Sequence, residues 1–216
     1  QVMKDNGLLS VGDLHEVGRA DLVGKYVGWT AQIVKRIFRA AKGSVLFIDE
    51  AYALADDRTG SYGDEAINTI VQEMENNRDD MIVIFAGYPH EMERFLQKNP
   101  GLRSRIAFHV PFSDYSAEEL CDITVLMAES GNMTLADGTR EKLLSIYESA
   151  VREHDFGNGR FARNLFEKAK MKQASRLVMM DVDVVTETDI GTLLPEDFEA
   201  PPTTKPLKQR IGFEGD

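Results

Sequence analysis

The sequence has few of the residues that build disulfides, metal clusters or membrane spans. Cys121 is the one cysteine among 216 residues, which excludes an internal disulfide and a cysteine-rich metal site. The longest apolar run, residues 81–87, is much shorter than the roughly 20 residues that cross a bilayer. The first ten residues lack the basic flank and the apolar stretch of a signal peptide. We therefore expect a cytoplasmic location.

Basic residues are fewer than acidic residues. Lysine and arginine total 25 against 36 aspartates and glutamates, which gives a net charge of −11. Nucleic-acid-binding domains usually carry a basic stripe, so nucleic acid is disfavoured as the main partner. The four histidines are dispersed and lack the spacing of a zinc site. The length suits one large domain, or one domain with a small companion.

Continuous apolar runs in the first half predict strands that are buried on both faces, as in a parallel sheet. These runs are residues 45–48 (VLFI) and 81–86 (MIVIFA), with weaker strand candidates at 11–17 and 106–112. Helical periodicity fills the gaps, and Thr30 is a candidate cap for the first long helix. The alternation predicts a doubly wound α/β sheet.

The second half has the pattern of a small helical subdomain. Ser116 and Glu119 form a capping-box signature. Further helices are predicted from Asp137 and over residues 161–177, and Cys121 falls on an apolar helix face, which favours a core position. A weak strand candidate follows at 182–185. The chain from residue 195 holds four of the seven prolines, and we expect a flexible tail there.

Two adjacent acids, Asp49 and Glu50, end the apolar run 45–48. Ligands of open α/β sheets bind at the carboxyl edge of the strands, where both acids would lie. The first acid can hold a hydrated Mg²⁺ beside phosphates, and the second can orient or deprotonate an attacking water. The alternative is a strand that ends in solvent with two acids on a loop. Residues 45–50 alone leave both interpretations open.

Five further segments accompany the acid pair in a fixed order along the chain. They are DLVGKYVGWT at 21–30, AY at 51–52, FAGY at 85–88, NPGLRSRI at 99–106 and GNGRFARN at 157–164. This combination resembles the AAA+ ATPases of the CbbX/SpoVK group, which also includes EccA-type ATPases. The resemblance extends from about residue 7 to residue 177.

The resemblance implies a domain organisation and a reaction. It implies a truncated AAA+ nucleotide-binding domain at 1–112, an α-helical lid at 113–190 and a flexible tail at 191–216. Asp49 is similar to the acid that supports Mg²⁺ through water, and Glu50 to the acid that activates the hydrolytic water. ATP and Mg²⁺ are then the cofactors, and the partners are further copies in a ring, a hexamer, and a protein substrate.

A pore loop is implied by the same resemblance. Lys25, Tyr26, Val27 and Gly28 are similar to the loop whose aromatic residue grips a polypeptide in the central channel of the ring. An aromatic side chain suits this role because it contacts many sequences through apolar surface. The alternative is that Tyr26 and Trp29 pack on the core at the start of a helix. We favour the pore for Tyr26 and the core for Trp29.

Four arginines complete the implied site. Arg103 and Arg105 are similar to the finger that reaches the γ-phosphate bound by a neighbouring subunit, where a planar guanidinium suits the charge. Arg105 is the first choice, and we expect one of the two to be an ordinary surface cation. Arg160 is similar to the lid arginine that contacts the nucleotide of its own subunit. Arg163 is its alternative, for which we expect an acidic partner.

One motif of this class does not occur in the sequence. The phosphate-binding loop G-x-x-x-x-G-K-[ST] has no match among the 216 residues. In the resembling proteins it precedes the residues that match this chain. We therefore interpret the sequence as a fragment that lacks the first strand and this loop, with little ATPase activity alone. The alternative is a degenerate AAA-like scaffold that only docks to partners.

Overall fold

The computed structural model describes residues 2–26, 28–55, 62–153, 156–180 and 186–200. The chain forms two compact units, Gln1–Pro111 and Phe112–Asp216. Each unit has its own hydrophobic core. In the described part of the chain, no helix combines the length and the apolar character needed to cross a membrane.

The first unit is built on a parallel sheet of three strands in the order β1, β2, β3. The strands are β1 (Leu14–Val17), β2 (Val45–Ile48) and β3 (Ile82–Phe85), with Leu14 opposite Val45 and Val45 opposite Ile82. Leu46 and Ile48 of the central strand are fully buried, which explains its continuous apolar run. The predicted α/β fold class with a parallel sheet is confirmed.

Helices cover this sheet and enclose its core. They are α1 (Val2–Asp5), α2 (Arg19–Leu22), α3 (Trp29–Ala40), a 3₁₀ helix (Ala51–Ala55), α4 (Tyr62–Asn76), α5 (Pro89–Lys98) and α6 (Pro100–Arg103). Helix α3 directs Val34 and Phe38 into the core. The predicted cap at Thr30 is wrong, because Gly28 caps the helix in a left-handed conformation with φ 78°. Thr30 is buried and accepts a hydrogen bond from the Gly24 amide instead.

The strand predicted at 106–112 is wrong. These residues have no regular secondary structure, and the side chains of Phe108, Val110 and Phe112 are exposed. Alternating apolar residues record a side-chain pattern, but a strand also needs a neighbour for its backbone hydrogen bonds. No described strand pairs with this segment.

The second unit is mainly helical. Its elements are α7 (Ala117–Ser130), β4 (Thr134–Leu135), α8 (Thr139–Ala150), α9 (Asn158–Val178), α10 (Glu187–Gly191), β5 (Thr192–Leu193) and a 3₁₀ helix (Pro195–Asp197). The predicted capping box is confirmed, since the Glu119 amide donates to Ser116 Oγ and the Ser116 amide donates to the Glu119 carboxylate. The short parallel pair of β4 with β5 was not predicted from the sequence.

A buried tyrosine organises the core of this unit. Tyr147 is fully buried, and its hydroxyl lies 2.6 Å from Thr124 Oγ1. Because the Thr124 hydroxyl donates to the Leu120 carbonyl, Tyr147 is the donor in this pair. Burial raises the pKa of Tyr147 to about 12. Cys121 is also fully buried, as predicted, and burial raises the pKa of its thiol.

The flexible tail predicted from residue 191 is wrong for its first part. Leu193 and Phe198 are buried in the core of the second unit. The guanidinium of Arg176 donates two hydrogen bonds to the buried Asp197 carboxylate, at 3.3 and 3.2 Å. The weak strand candidate at 182–185 lies outside the described residues.

Candidate functional site

Asp49 and Glu50 lie at the carboxyl end of the central strand, as their position in the sequence predicts. The Asp49 amide donates to the Val17 carbonyl at 3.0 Å, which ties the acid pair to the end of β1. On the other side, the Ala51 amide donates to the Ala86 carbonyl at 3.0 Å, just beyond β3. Both acidic side chains are exposed at the edge of the sheet that parallel α/β folds use for ligands.

The backbone at the acid pair has an unusual conformation. Glu50 has a φ of 47°, in the left-handed region that residues other than glycine rarely adopt. Its amide donates to Asp49 Oδ1 at 2.9 Å, which engages one oxygen of that carboxylate. Strained backbone of this kind concentrates at functional sites. The turn directs two carboxylates outward from adjacent positions.

Tyr52 is a neighbour of Glu50 to which the sequence analysis assigned no role. It belongs to the 3₁₀ helix that follows the acid pair, and its hydroxyl lies near enough to the Glu50 carboxylate for the two groups to interact electrostatically. Burial, followed by the charge of Glu50, raises the pKa of Tyr52. The phenol therefore stays neutral beside the Glu50 carboxylate at neutral pH. The available signal was an aromatic residue two positions after the acid pair.

Gly87 makes room for the Tyr52 ring. A Cβ atom at Gly87 would lie 2.8 Å from Cδ1 of Tyr52 and 2.9 Å from the sulfur of Met92. Both distances are closer than real Cβ contacts allow. The ring centroids of Tyr52 and Tyr88 lie 6.5 Å apart. Gly87 and Tyr88, which follow β3, therefore fix the side chain that contacts Glu50.

The predicted pore loop places an exposed aromatic pair before α3. Tyr26 is 62% exposed and Trp29 is 58% exposed, with their ring centroids 5.0 Å apart in an edge-to-face arrangement. The core position predicted for Trp29 is wrong, because α3 buries the opposite side of the helix, which carries Val34 and Phe38. Lys25 is exposed and Gly28 starts the helix, while Val27 lies outside the described residues.

The two finger candidates differ in their partners. Arg105 Nε lies 3.5 Å from the Glu75 carboxylate, and its Nη1 donates to the Gly101 carbonyl at 3.0 Å. Arg103, at the end of α6, is exposed and has no side-chain hydrogen bond or ion pair within the described ranges. The structure thus holds Arg105 within its own unit and leaves Arg103 available.

Arg160 and Arg163 lie in the first turns of α9, in the second unit, and both are exposed. The start of this helix is fixed by Asn158, which donates to the Asp114 carboxylate at 2.6 Å and accepts from the Tyr115 amide at 2.9 Å. The acidic partner expected for Arg163 is absent from the part of the chain that the structure describes. Both guanidinium groups are directed to solvent.

The acid pair has the donor chemistry of a magnesium site that relies on water. Mg²⁺ in nucleotide sites keeps several waters and binds one or two carboxylates together with phosphate oxygens. Asp49 fits this requirement because its Oδ2 is not used by the Glu50 amide. Across the described residues, no three histidine, cysteine, aspartate or glutamate side chains gather into a larger metal cluster.

Comparison with known families decides the assignment. Residues 8–114 match the family described as "ATPase family associated with various cellular activities (AAA)", and residues 116–208 match the AAA lid domain. The chain belongs to the AAA ATPase family. Together the two matches cover both structural units.

Named relatives of this AAA chain extend the assignment. It is 44% identical over 193 residues to "Protein CfxQ homolog" of Galdieria sulphuraria, covering 89% of this chain and 63% of the relative. It is 41% identical to "Ribulose bisphosphate carboxylase/oxygenase activase, chloroplastic" of Cyanidioschyzon merolae, covering 89% of this chain and 66% of that relative. The chain thus spans less than two thirds of the length of these relatives.

A solved structure shares the fold. The AAA domain of FIGL-1 in complex with ADP superposes with a TM-score of 0.59 at 23% identity, covering 85% of this chain and 59% of that chain. The predicted membership of the CbbX group of AAA ATPases is confirmed by the family matches and the CfxQ relatives.

Proposed function

We propose that this chain is part of a Mg²⁺-ATP-dependent motor that assembles into rings, as a hexamer, and remodels a protein substrate in the cytoplasm. The acid pair at the carboxyl end of β2 carries the proposal. Family membership supports ATP hydrolysis as the class of reaction. The name of the Cyanidioschyzon relative, an activase of an enzyme, supports a protein as the substrate.

Each acid has a distinct role in this proposal. Asp49 holds the hydrated cation through its free oxygen, and the cation, when bound, neutralises charge on the phosphates. Glu50 orients the attacking water and accepts its proton. Tyr52 is a positioning residue in this proposal: its ring packs against Gly87, and its hydroxyl hydrogen-bonds to the nearby Glu50 carboxylate in the active state.

The arginines act on the phosphates in this proposal. Arg105 or Arg103 reaches the nucleotide of a neighbouring subunit, and Arg160, with Arg163 as its alternative, contacts the nucleotide of its own subunit. Arg105 must exchange its contact with Glu75 to do so, whereas Arg103 has no such contact to break. The lid carries the lid arginine and changes its angle with nucleotide state.

The exposed aromatic side chain of Tyr26 contacts the substrate in the channel, with Lys25, Val27 and Gly28 as the rest of the loop. Its 62% exposure supports this role over a core position. We expect Tyr26→Ala to leave ATP hydrolysis unchanged and to abolish substrate remodelling. Loss of folding in this variant would support a structural role for the ring instead.

A docking scaffold without hydrolysis is the second candidate. It is favoured by the absence of G-x-x-x-x-G-K-[ST] from the 216 residues, because the amides and lysine of that loop bind the phosphates. We expect the 216-residue chain alone to turn over little ATP. The distinction therefore depends on the full-length protein.

The deciding experiment measures ATP turnover by the full-length protein and its Glu50→Gln variant. This change keeps the size of the side chain and removes the base, so we expect turnover to fall by about 10²–10⁴-fold while nucleotide binding persists. Glu93→Gln, an exposed position on α5, is the matched control and should retain turnover. Unchanged turnover in Glu50→Gln would exclude Glu50 as the base. No turnover in the unaltered protein would favour the scaffold.

A further inference from the structure

Helix α3 and the segments beside it concentrate positive charge in an acidic protein. No aspartate or glutamate occurs between Asp21 and Asp49, although acids outnumber bases over the whole chain. Within this interval four cations fall in eight residues. They are Lys35, Arg36, Arg39 and Lys42. Neither the acid pair nor the pore loop accounts for this cluster.

The cluster lines open concavities on the outer side of α3. The larger, of about 410 Å³, is lined by Trp29, Gln32, Ile33, Arg36 and Arg39, which we call the α3 face. The smaller, of about 240 Å³, is lined by Lys35, Arg39, Lys42, Glu73 and Asn77. Arg39 lines both concavities.

The arginines of the α3 face have no neutralising partner among the residues that the structure describes. Arg36 and Arg39 are exposed, and neither makes an ion pair or a side-chain hydrogen bond among the described residues. Glu73 is the single acid that lines either concavity in the described structure. Its carboxylate already accepts hydrogen bonds from the side chains of Asn76 and Asn77. The face therefore presents unmatched positive charge beside an exposed indole ring.

We infer that the α3 face binds an acidic segment of polypeptide in which an apolar side chain lies next to carboxylates. The guanidinium groups of Arg36 and Arg39 suit carboxylates, with which arginine forms paired hydrogen bonds. Trp29 and Ile33 offer apolar surface for the neighbouring side chain. The inference rests on the proposed function, because Trp29 contacts Tyr26 and the same segment would continue into the pore loop.

A peptide is favoured over a nucleic acid as the occupant. Nucleic-acid-binding domains are usually strongly basic overall, whereas this chain has a pI near 4.9. The surrounding negative charge would repel a long polyanion but would tolerate a short acidic segment at a local positive surface.

Trp29 provides the assay, because it is the one tryptophan in the sequence. The 216-residue chain is titrated with a short, end-blocked peptide of glutamates around a single phenylalanine, and the emission of Trp29 is recorded. The control peptide carries lysines in place of the glutamates. We expect a saturable change in emission with the acidic peptide alone. Raising the salt from about 50 to about 300 mM should weaken binding, because exposed charges are screened.

Charge reversal tests the residues themselves. The double variant Arg36→Glu with Arg39→Glu should weaken peptide binding about tenfold or more, since two attractive contacts become repulsive. Arg94→Glu, an exposed arginine on α5, is the matched control and should bind like the unaltered chain. If the double variant unfolds by circular dichroism, the milder pair Arg36→Gln with Arg39→Gln serves in its place.

Several results would overturn the inference. Equal binding of the lysine peptide, equal loss in Arg94→Glu, or tighter binding of a single-stranded oligonucleotide than of the acidic peptide would each do so. The assay requires no ATP. Loss of peptide binding with intact hydrolysis in the full-length protein would therefore refute this inference and leave the proposed motor untouched.

Discussion

Adding one methyl group at Gly87 tests whether the Tyr52 ring is locked beside Glu50. The new Cβ of Gly87→Ala would lie 2.8 Å from the ring and 2.9 Å from the sulfur of Met92. The ring edge is rigid and must shift as a whole, whereas the Met92 sulfur lies on a flexible side chain. Because the φ of Gly87 is outside the left-handed region, the effect comes from this contact. We expect the free energy of unfolding to fall by about 1–3 kcal/mol.

A double-mutant cycle separates the two contacts. In a Tyr52→Ala background the ring is gone, and Gly87→Ala then meets the Met92 side chain alone. We expect the penalty there to be less than about 1 kcal/mol, so the coupling between the positions is about 1–2 kcal/mol. Urea denaturation of the four chains measures this coupling. Equal penalties for Gly87→Ala in both backgrounds would refute the packing argument.

The same substitution has a functional consequence under the proposed mechanism. Displacing the Tyr52 ring moves the hydroxyl that bonds to Glu50, so ATP turnover by full-length Gly87→Ala should fall. Tyr52→Phe, which keeps the ring and removes the hydroxyl, should also lower turnover and change its dependence on pH. Full turnover in Tyr52→Phe would show that Glu50 needs no positioning by this hydroxyl.

Two further predictions concern the second unit. The pKa of Tyr147 is about 12 in the folded protein against 10.0 ordinarily. Its neutral phenol therefore contributes fully to the free energy of unfolding below pH 10, and this contribution is lost as the pH rises toward 12. Denaturation at successive pH values should show a fall of about 2–3 kcal/mol that Tyr147→Phe lacks and the exposed Tyr115→Phe retains. Gln173 is buried, and the two N–H groups of its side chain are shared among three backbone carbonyls in residues 189–192. Changing it to leucine should destabilise the unit by about 2–4 kcal/mol, because these carbonyls lose their donor. Exposed Gln97→Leu is its control, and an equal effect of the two changes on the urea midpoint would contradict the role of these bonds.

Local patterns in the sequence predicted much of the fold. The apolar runs at 45–48 and 81–86 became β2 and β3, as a parallel sheet favours continuous apolar strands. The expected burial on both faces is wrong for β3, because none of its residues is fully buried and Ile84 is 40% exposed. The Ser116–Glu119 capping box formed as predicted, since all its hydrogen bonds are local. The position of Asp49 and Glu50 at the end of β2 was also predictable, because it follows from the strand that directly precedes them.

Features that depend on distant residues were not predictable from such patterns. The segment 106–112 has the alternation of a strand, yet pairing requires a neighbour that the alternation does not encode. Phe198 lies in the proline-rich segment that begins at residue 195, but its burial depends on helices far away along the chain. The role of Tyr52 was not predicted, because the position of its ring beside Glu50 depends on the space left by Gly87, which follows a different strand.

The pairing of β4 with β5 has a consequence for how the lid forms. Thr134 and Thr192 meet through their hydroxyls at 3.1 Å although 58 positions separate them. Helices α7, α8 and α9 can assemble by closing shorter loops, whereas this ladder must wait for the end of the unit to leave the ribosome. Because β5 and Phe198 are synthesised after these helices, the core of the lid stays incomplete until both have emerged.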